Sequence, residues 1–126
     1  MRAQVAESGT TGVINALTVD VEDYFQVSAF ETHIEKAQWQ KWPMRVEENT
    51  LRILELFAEH QVRGTFFTLG WVAERYPDLV RKIVRAGHEI ASHGWDHVRV
   101  NTQTPQEFRK DIERTRKLLQ DISGEP

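Results

Sequence analysis

Arg85-Ala86-Gly87-His88-Glu89-Ile90-Ala91-Ser92-His93-Gly94-Trp95-Asp96-His97 carries a helix end, a strand and the loop after it in one short run. Gly87 suits the C-terminal stop of a helix, and His88–Ser92 reads as a short buried strand. His93 and His97 follow directly, at the spacing of one helical turn. A strand that ends in paired imidazoles, entered from a helix, suggests an α/β layout with chemistry at the strand's C-terminal end.

The flanking sequence repeats that rhythm. Pro77–Ala86 is predicted as a helix, with Pro77 in its first turn. Arg63–Gly70 reads as a strand bracketed by glycines. Upstream, Leu51, Leu54, Phe57 and Ala58, widened by Ile53 and Leu56, give residues 46–60 the apolar face of a helix packed on a sheet. Val13–Val19 is rich in β-branched residues and reads as the first strand. Residues 1–12 look like a loose, turn-rich tail. Residues 20–46 are irregular, with Tyr24, Phe25, Phe30, Trp39 and Trp42, and are expected to cross the mouth of a barrel with some short helix. A last helix opens on Thr104-Pro105-Gln106-Glu107, a capping-box pattern, and runs to about Ile122 before Ser123-Gly124. Strand–helix alternation predicts parallel strands with helical crossovers, and function in the loops at the strands' C-terminal ends. The charges of this last helix, from Glu107 to Gln120, predict a solvated face.

Composition narrows the function classes. The chain has 126 residues, 40% apolar and 28% charged, as expected of a globular domain. A net charge of −3 leaves no basic field for nucleic-acid phosphates. The absence of cysteine excludes thiolate metal ligands and disulfides. No run approaches the length of a membrane span, and residues 1–11 lack the apolar core of an export signal. On sequence alone the expectation is a cytoplasmic location.

The chemistry rests on two strand ends. Leu17-Thr18-Val19-Asp20-Val21-Glu22-Asp23 ends in three carboxylates, which repel one another unless a cation or proton intervenes. Two histidines and one carboxylate from another strand end form the donor set of a catalytic divalent metal, with a coordination position left for water. Glu22 is the favoured third ligand beside His93 and His97, Asp23 is the alternative ligand, and Asp20 is the candidate catalytic base. His88 is expected to support its strand end, and His33 and His60 to be solvated. Gly64–Phe67 and Trp71 read as packing; Trp95 either shapes a pocket or stacks on a sugar ring.

These motifs resemble the polysaccharide deacetylase (NodB-homology) family. The shared features are the acidic Thr18–Asp23 motif, the Gly64–Phe67 strand, Gly87–Ile90, and the Ser-His-x-x-x-His pattern of Ser92–His97. The Asp-Val-Glu-Asp-Tyr-Phe form looks most like the subgroup associated with exosortase-linked exopolysaccharide gene clusters. The resemblance implies a distorted (β/α) barrel, of which residues 13–126 would be the N-terminal part. It also implies hydrolysis of N-acetyl groups on a hexosamine polymer, assisted by a divalent ion, usually zinc. Asp20 matches the family's base, and His93 and His97 its metal histidines. The commonest family motif has adjacent aspartates, the second binding metal; here Val21 stands there and Glu22 is the nearest carboxylate. The expected partner is a polysaccharide or oligosaccharide substrate. The family's later motifs have no counterpart before Pro126, so residues 1–126 alone are expected to bind zinc weakly and to be nearly inactive. Two alternatives stay open: a metal-independent, allantoinase-like amidohydrolase, and a silent carbohydrate- or metal-binding module.

Overall fold

A computed structural model describes residues 14–126. The tail expected over residues 1–12, and Val13, lie outside the described residues. Three short strands, β1 (Thr18–Val21), β2 (Thr65–Thr68) and β3 (Glu89–Ser92), form a parallel sheet in the order β1-β2-β3. Val19 pairs with Phe66 across the first interface, and Phe66 with Ile90 across the second. The α/β layout with parallel strands and helical crossovers is therefore present. Because all three strands run the same way, Glu22 and His93 emerge at the same edge of the sheet.

The crossover helices follow local signals. Helix α1 (Val46–Glu59) buries Val46, Leu54 and Phe57. Helix α3 (Pro77–Arg85) starts at its proline, buries Leu79, Val80 and Ile83, and stops before Gly87, whose φ of +83° suits a residue without a Cβ. Helix α4 (Pro105–Ser123) starts with both halves of the Thr104–Glu107 capping box made. Phe66, Leu69, Val72 and Ile83, all fully buried, join the sheet to these helices.

Helix α2 (Gly70–Arg75) was not expected. It has no side-chain cap of its own. Instead its first two amides donate to a distant loop, Gly70 N to Gly94 O at 2.9 Å and Trp71 N to Trp95 O at 2.8 Å. A helix capped from another part of the chain leaves little local trace.

Between β1 and α1 the chain makes short 3₁₀ turns at Tyr24–Gln26, Ser28–Phe30 and Lys36–Lys41. Two of its aromatics are driven into the core. Phe25 and Trp39 pack with Trp71 at ring-centroid separations of 5.5–6.4 Å, the Trp39–Trp71 pair edge to face. The excursion is thus pinned beside the strand ends.

The charges of α4 form the solvated face expected of them, with Glu107, Arg109, Lys110, Glu113, Arg116 and Lys117 exposed, and the other face packs inward. Thr115 and Leu119 are buried and Asp111 is half-buried, because α4 packs on α2, α3 and β3.

Candidate metal centre

Glu22 follows the last residue of β1, and His93 follows the last residue of β3, with its N–H still donating to Thr68 O. The outer strands of a three-stranded sheet stand roughly 10 Å apart, a gap that two side chains leaning over β2 can close. Glu22 Oε2 lies 3.4 Å from His93 Nε2 and 3.2 Å from His97 Nε2. The imidazoles meet edge to face, with centroids 5.2 Å apart. Among the described residues, Glu22, His93 and His97 form the group able to offer three ligand atoms within 4.8 Å of one another.

The histidine spacing does not work through a helix. The chain turns instead through Gly94 (φ +77°) and His97 (φ +63°), both left-handed. This folds the His97 ring back towards His93.

Two observations fit a cation here. Glu22 Oε2 and His93 Nε2 are sealed from solvent without a hydrogen-bond partner, an arrangement that is costly unless something else satisfies them. The donor set, two neutral-capable imidazoles and one carboxylate, suits zinc and its neighbours. The adjacent Glu22 carboxylate holds the His93 imidazole above its ordinary pKa; burial opposes this and the Asp20 charge adds to it. That influence also places Asp20, exposed on β1, within electrostatic reach of the cluster.

Asp23, the alternative ligand, lies outside the group. Its Oδ1 accepts from Tyr24 N at 3.0 Å, and its Oδ2 from Arg45 N at 2.7 Å and Val46 N at 3.0 Å. Gln26 completes the capping box by accepting from Asp23 N at 2.7 Å. Asp23 therefore caps its own 3₁₀ turn and the start of α1. Sequence spacing could not show this, because the recipient amides are far along the chain.

The remaining residues sort by contact. His88 is buried against Phe57 and Phe66, and its Nδ1 accepts from Gly64 N at 3.2 Å, so it braces the strand end. His33 and His60 are exposed. Trp95 is packed on both faces: its ring lies against Gly70 on one side and under the Arg114 guanidinium, 3.2 Å from the centroid. A cleft of about 260 Å³ opens beside His97, walled by Phe25, Gln26, Trp39 and Arg99. A larger hollow of about 490 Å³ between β3 and α4 contains none of the three clustered residues, so of these two the smaller cleft is the one that adjoins the chemistry.

Residues 32–126 match the sequence model of the polysaccharide deacetylase family. The chain belongs to that family. The matched span includes both histidines but begins after Asp20 and Glu22, so Glu22 joins the cluster by geometry. Among relatives, a peptidoglycan-N-acetylglucosamine deacetylase of Bacillus cereus is 35% identical over 77 residues, which cover 61% of this chain and 28% of the relative. A chitooligosaccharide deacetylase of Rhizobium leguminosarum bv. trifolii is 34% identical over 70 residues, covering 56% of this chain and 33% of the relative. This deacetylase-family chain thus aligns with about a third or less of each. Deacetylases of this kind are hydrolases of carbon–nitrogen bonds.

Solved structures agree on the fold. The Bc1960 peptidoglycan N-acetylglucosamine deacetylase superposes with a TM-score of 0.65 at 29% identity, over 86% of this chain and 41% of that one. BA3943 of Bacillus anthracis, a family pseudoenzyme, superposes equally well at 0.65 and 23% identity, over 87% of this chain and 31% of that one. One fold thus holds active and inactive members, and the side chains at the strand ends must carry the functional argument.

Proposed function

We propose that this chain belongs to a metal-dependent polysaccharide N-deacetylase that removes acetyl groups from N-acetylhexosamine units of an exopolysaccharide. The observation that carries the reading is the convergence of Glu22, His93 and His97 with two unpartnered buried ligand atoms. The relatives' named substrates, peptidoglycan N-acetylglucosamine and chitooligosaccharide, support the sugar class. The Asp20–Phe25 motif supports the exopolysaccharide assignment through its resemblance to that subgroup.

Glu22, His93 and His97 would hold the ion. Bound there, a divalent cation would polarise the acetamide carbonyl and make water a nucleophile near neutral pH. Asp20, exposed at the end of β1 and close enough to influence His93, takes the proton as water attacks the carbonyl carbon. Collapse of the tetrahedral adduct breaks the carbon–nitrogen bond, and the departing amine gains the proton that Asp20 took from water. The cleft beside His97, with Phe25 and Trp39 in its wall, gives room and apolar surface for a neighbouring sugar.

The test is acetate release from N-acetylglucosamine oligomers and from an acetylated exopolysaccharide by the protein that carries this chain. Asp20→Asn should abolish release while zinc binding persists. Release that survives a strong chelator would overturn the metal-dependent reading in favour of a metal-independent amidohydrolase. Unchanged turnover in Asp20→Asn would remove Asp20 as base.

A further inference from the structure

The turn that presents His97 is held on two sides. Its carbonyls, Gly94 O and Trp95 O, receive the first two amides of α2. From the other side α4 reaches in: Asp111 Oδ1 accepts from Trp95 N at 3.1 Å. The second oxygen, Oδ2, lies 3.0 Å from where a Cβ on Gly94 would stand, so the carboxylate lies against the turn at its left-handed glycine. One helical turn along α4, Arg114 covers the Trp95 ring that rests on Gly70.

The clamp matters because His97 itself has a φ of +63°, which residues with a Cβ seldom adopt. Such a conformation persists only where surrounding contacts dictate it. The turn's backbone has donors and acceptors to satisfy, and α2 takes the acceptors while Asp111 takes a donor. Removing Asp111 leaves the Trp95 N–H unpaired on the α4 side and frees Gly94 to relax. His97 would then swing away from Glu22.

We infer that Asp111 is a positioning residue: from α4 it fixes the Gly94–His97 turn, and so the alignment of His97 with Glu22 and His93. This rests on the metal-binding reading of the cluster, since its consequence is ligand alignment. Groups that orient metal ligands typically change affinity by about 10–100-fold when removed.

The test compares Asp111→Ala with Asp111→Asn in the full chain, using zinc titration, the visible absorption of bound cobalt(II), and hydrogen exchange of the Trp95 amide without metal. Asp111→Ala should weaken zinc binding by about 10–100-fold, alter the cobalt(II) spectrum and speed Trp95 amide exchange, while amides of β2 and α3 stay protected. Asp111→Asn still offers an oxygen to Trp95 N–H and should restore all three readouts. Wild-type affinity and spectrum in Asp111→Ala, or an Asn variant as impaired as the Ala variant, would overturn the assignment. An unsubstituted chain that binds neither ion would overturn the metal reading. Trp95 exchange would then decide the clamp on its own, faster in Asp111→Ala upholding it and unchanged overturning it.

Discussion

The indole of Trp95 lies so close to Gly70 that a Cβ added to Gly70 would fall 2.3 Å from a ring carbon. No real side chain tolerates that distance, so the ring must shift or the helix must. The ring is sandwiched by Arg114 and its backbone is tied to α2 and Asp111, leaving it little room to move. Gly70→Ala should therefore destabilise the fold by about 2 kcal/mol, as overpacked cores do, opposite in sign to the usual gain from replacing a helical glycine. Urea unfolding measures this. An alanine variant as stable as the original would show that the indole yields freely.

Zinc should stabilise the folded chain, because the three ligands converge only in the native state. An ion at 100 times its dissociation constant adds about 2.7 kcal/mol. Glu22→Gln keeps the side chain's shape but removes the charge that faces both imidazoles. The zinc-dependent rise in unfolding midpoint should largely disappear in Glu22→Gln and in His97→Ala. A rise of undiminished size in both variants would place the ion elsewhere.

Much of this architecture was legible because its signals are local. Proline at the start of α3, glycine at its end and the Thr104–Glu107 box each act within a turn of the chain. Alternation of strands with helices then placed Asp20–Asp23 and His93–His97 at one edge of a parallel sheet. What sequence could not show depends on hydrogen bonds between remote segments. Helix α2 is capped by Gly94 and Trp95, Asp23 serves amides at Arg45 and Val46, and Asp111 holds the Trp95 amide. In each case the group resembles an ordinary loop carbonyl, surface acid or ligand until its partner is known. The four-residue histidine spacing does not by itself reveal the left-handed turn at Gly94 and His97 that brings the two rings together.

Asp23 gives a prediction that separates capping from ligation. Its carboxylate is buried and accepts from three backbone amides. Asp23→Ala leaves those donors without an acceptor and should cost about 3 kcal/mol, given the value of hydrogen bonds to charged groups. Asp23→Asn retains one acceptor oxygen and should lose less. Zinc affinity in the folded Asn variant should stay close to that of the unsubstituted chain. Lost zinc binding with unchanged unfolding would instead restore Asp23 as a ligand.

His88 links stability to pH. Burial, aided by the Arg63 charge, lowers its pKa below the ordinary histidine value, and its Nδ1 is occupied as the acceptor for Gly64 N. Above about pH 6.5 the ring is neutral in both folded and unfolded chains, so its full contribution is present. As pH falls through that value the unfolded state takes the proton first, and stability declines until the folded ring also protonates. His88→Asn keeps an oxygen near the Nδ1 position and removes the titration. Urea unfolding from pH 7.5 down to pH 5 should give a shallower decline in the variant, whatever its absolute stability. Equal slopes in the two proteins would show that the buried imidazole contributes nothing to acid sensitivity; His93, whose pKa is raised, acts in the opposite sense and cannot account for the decline.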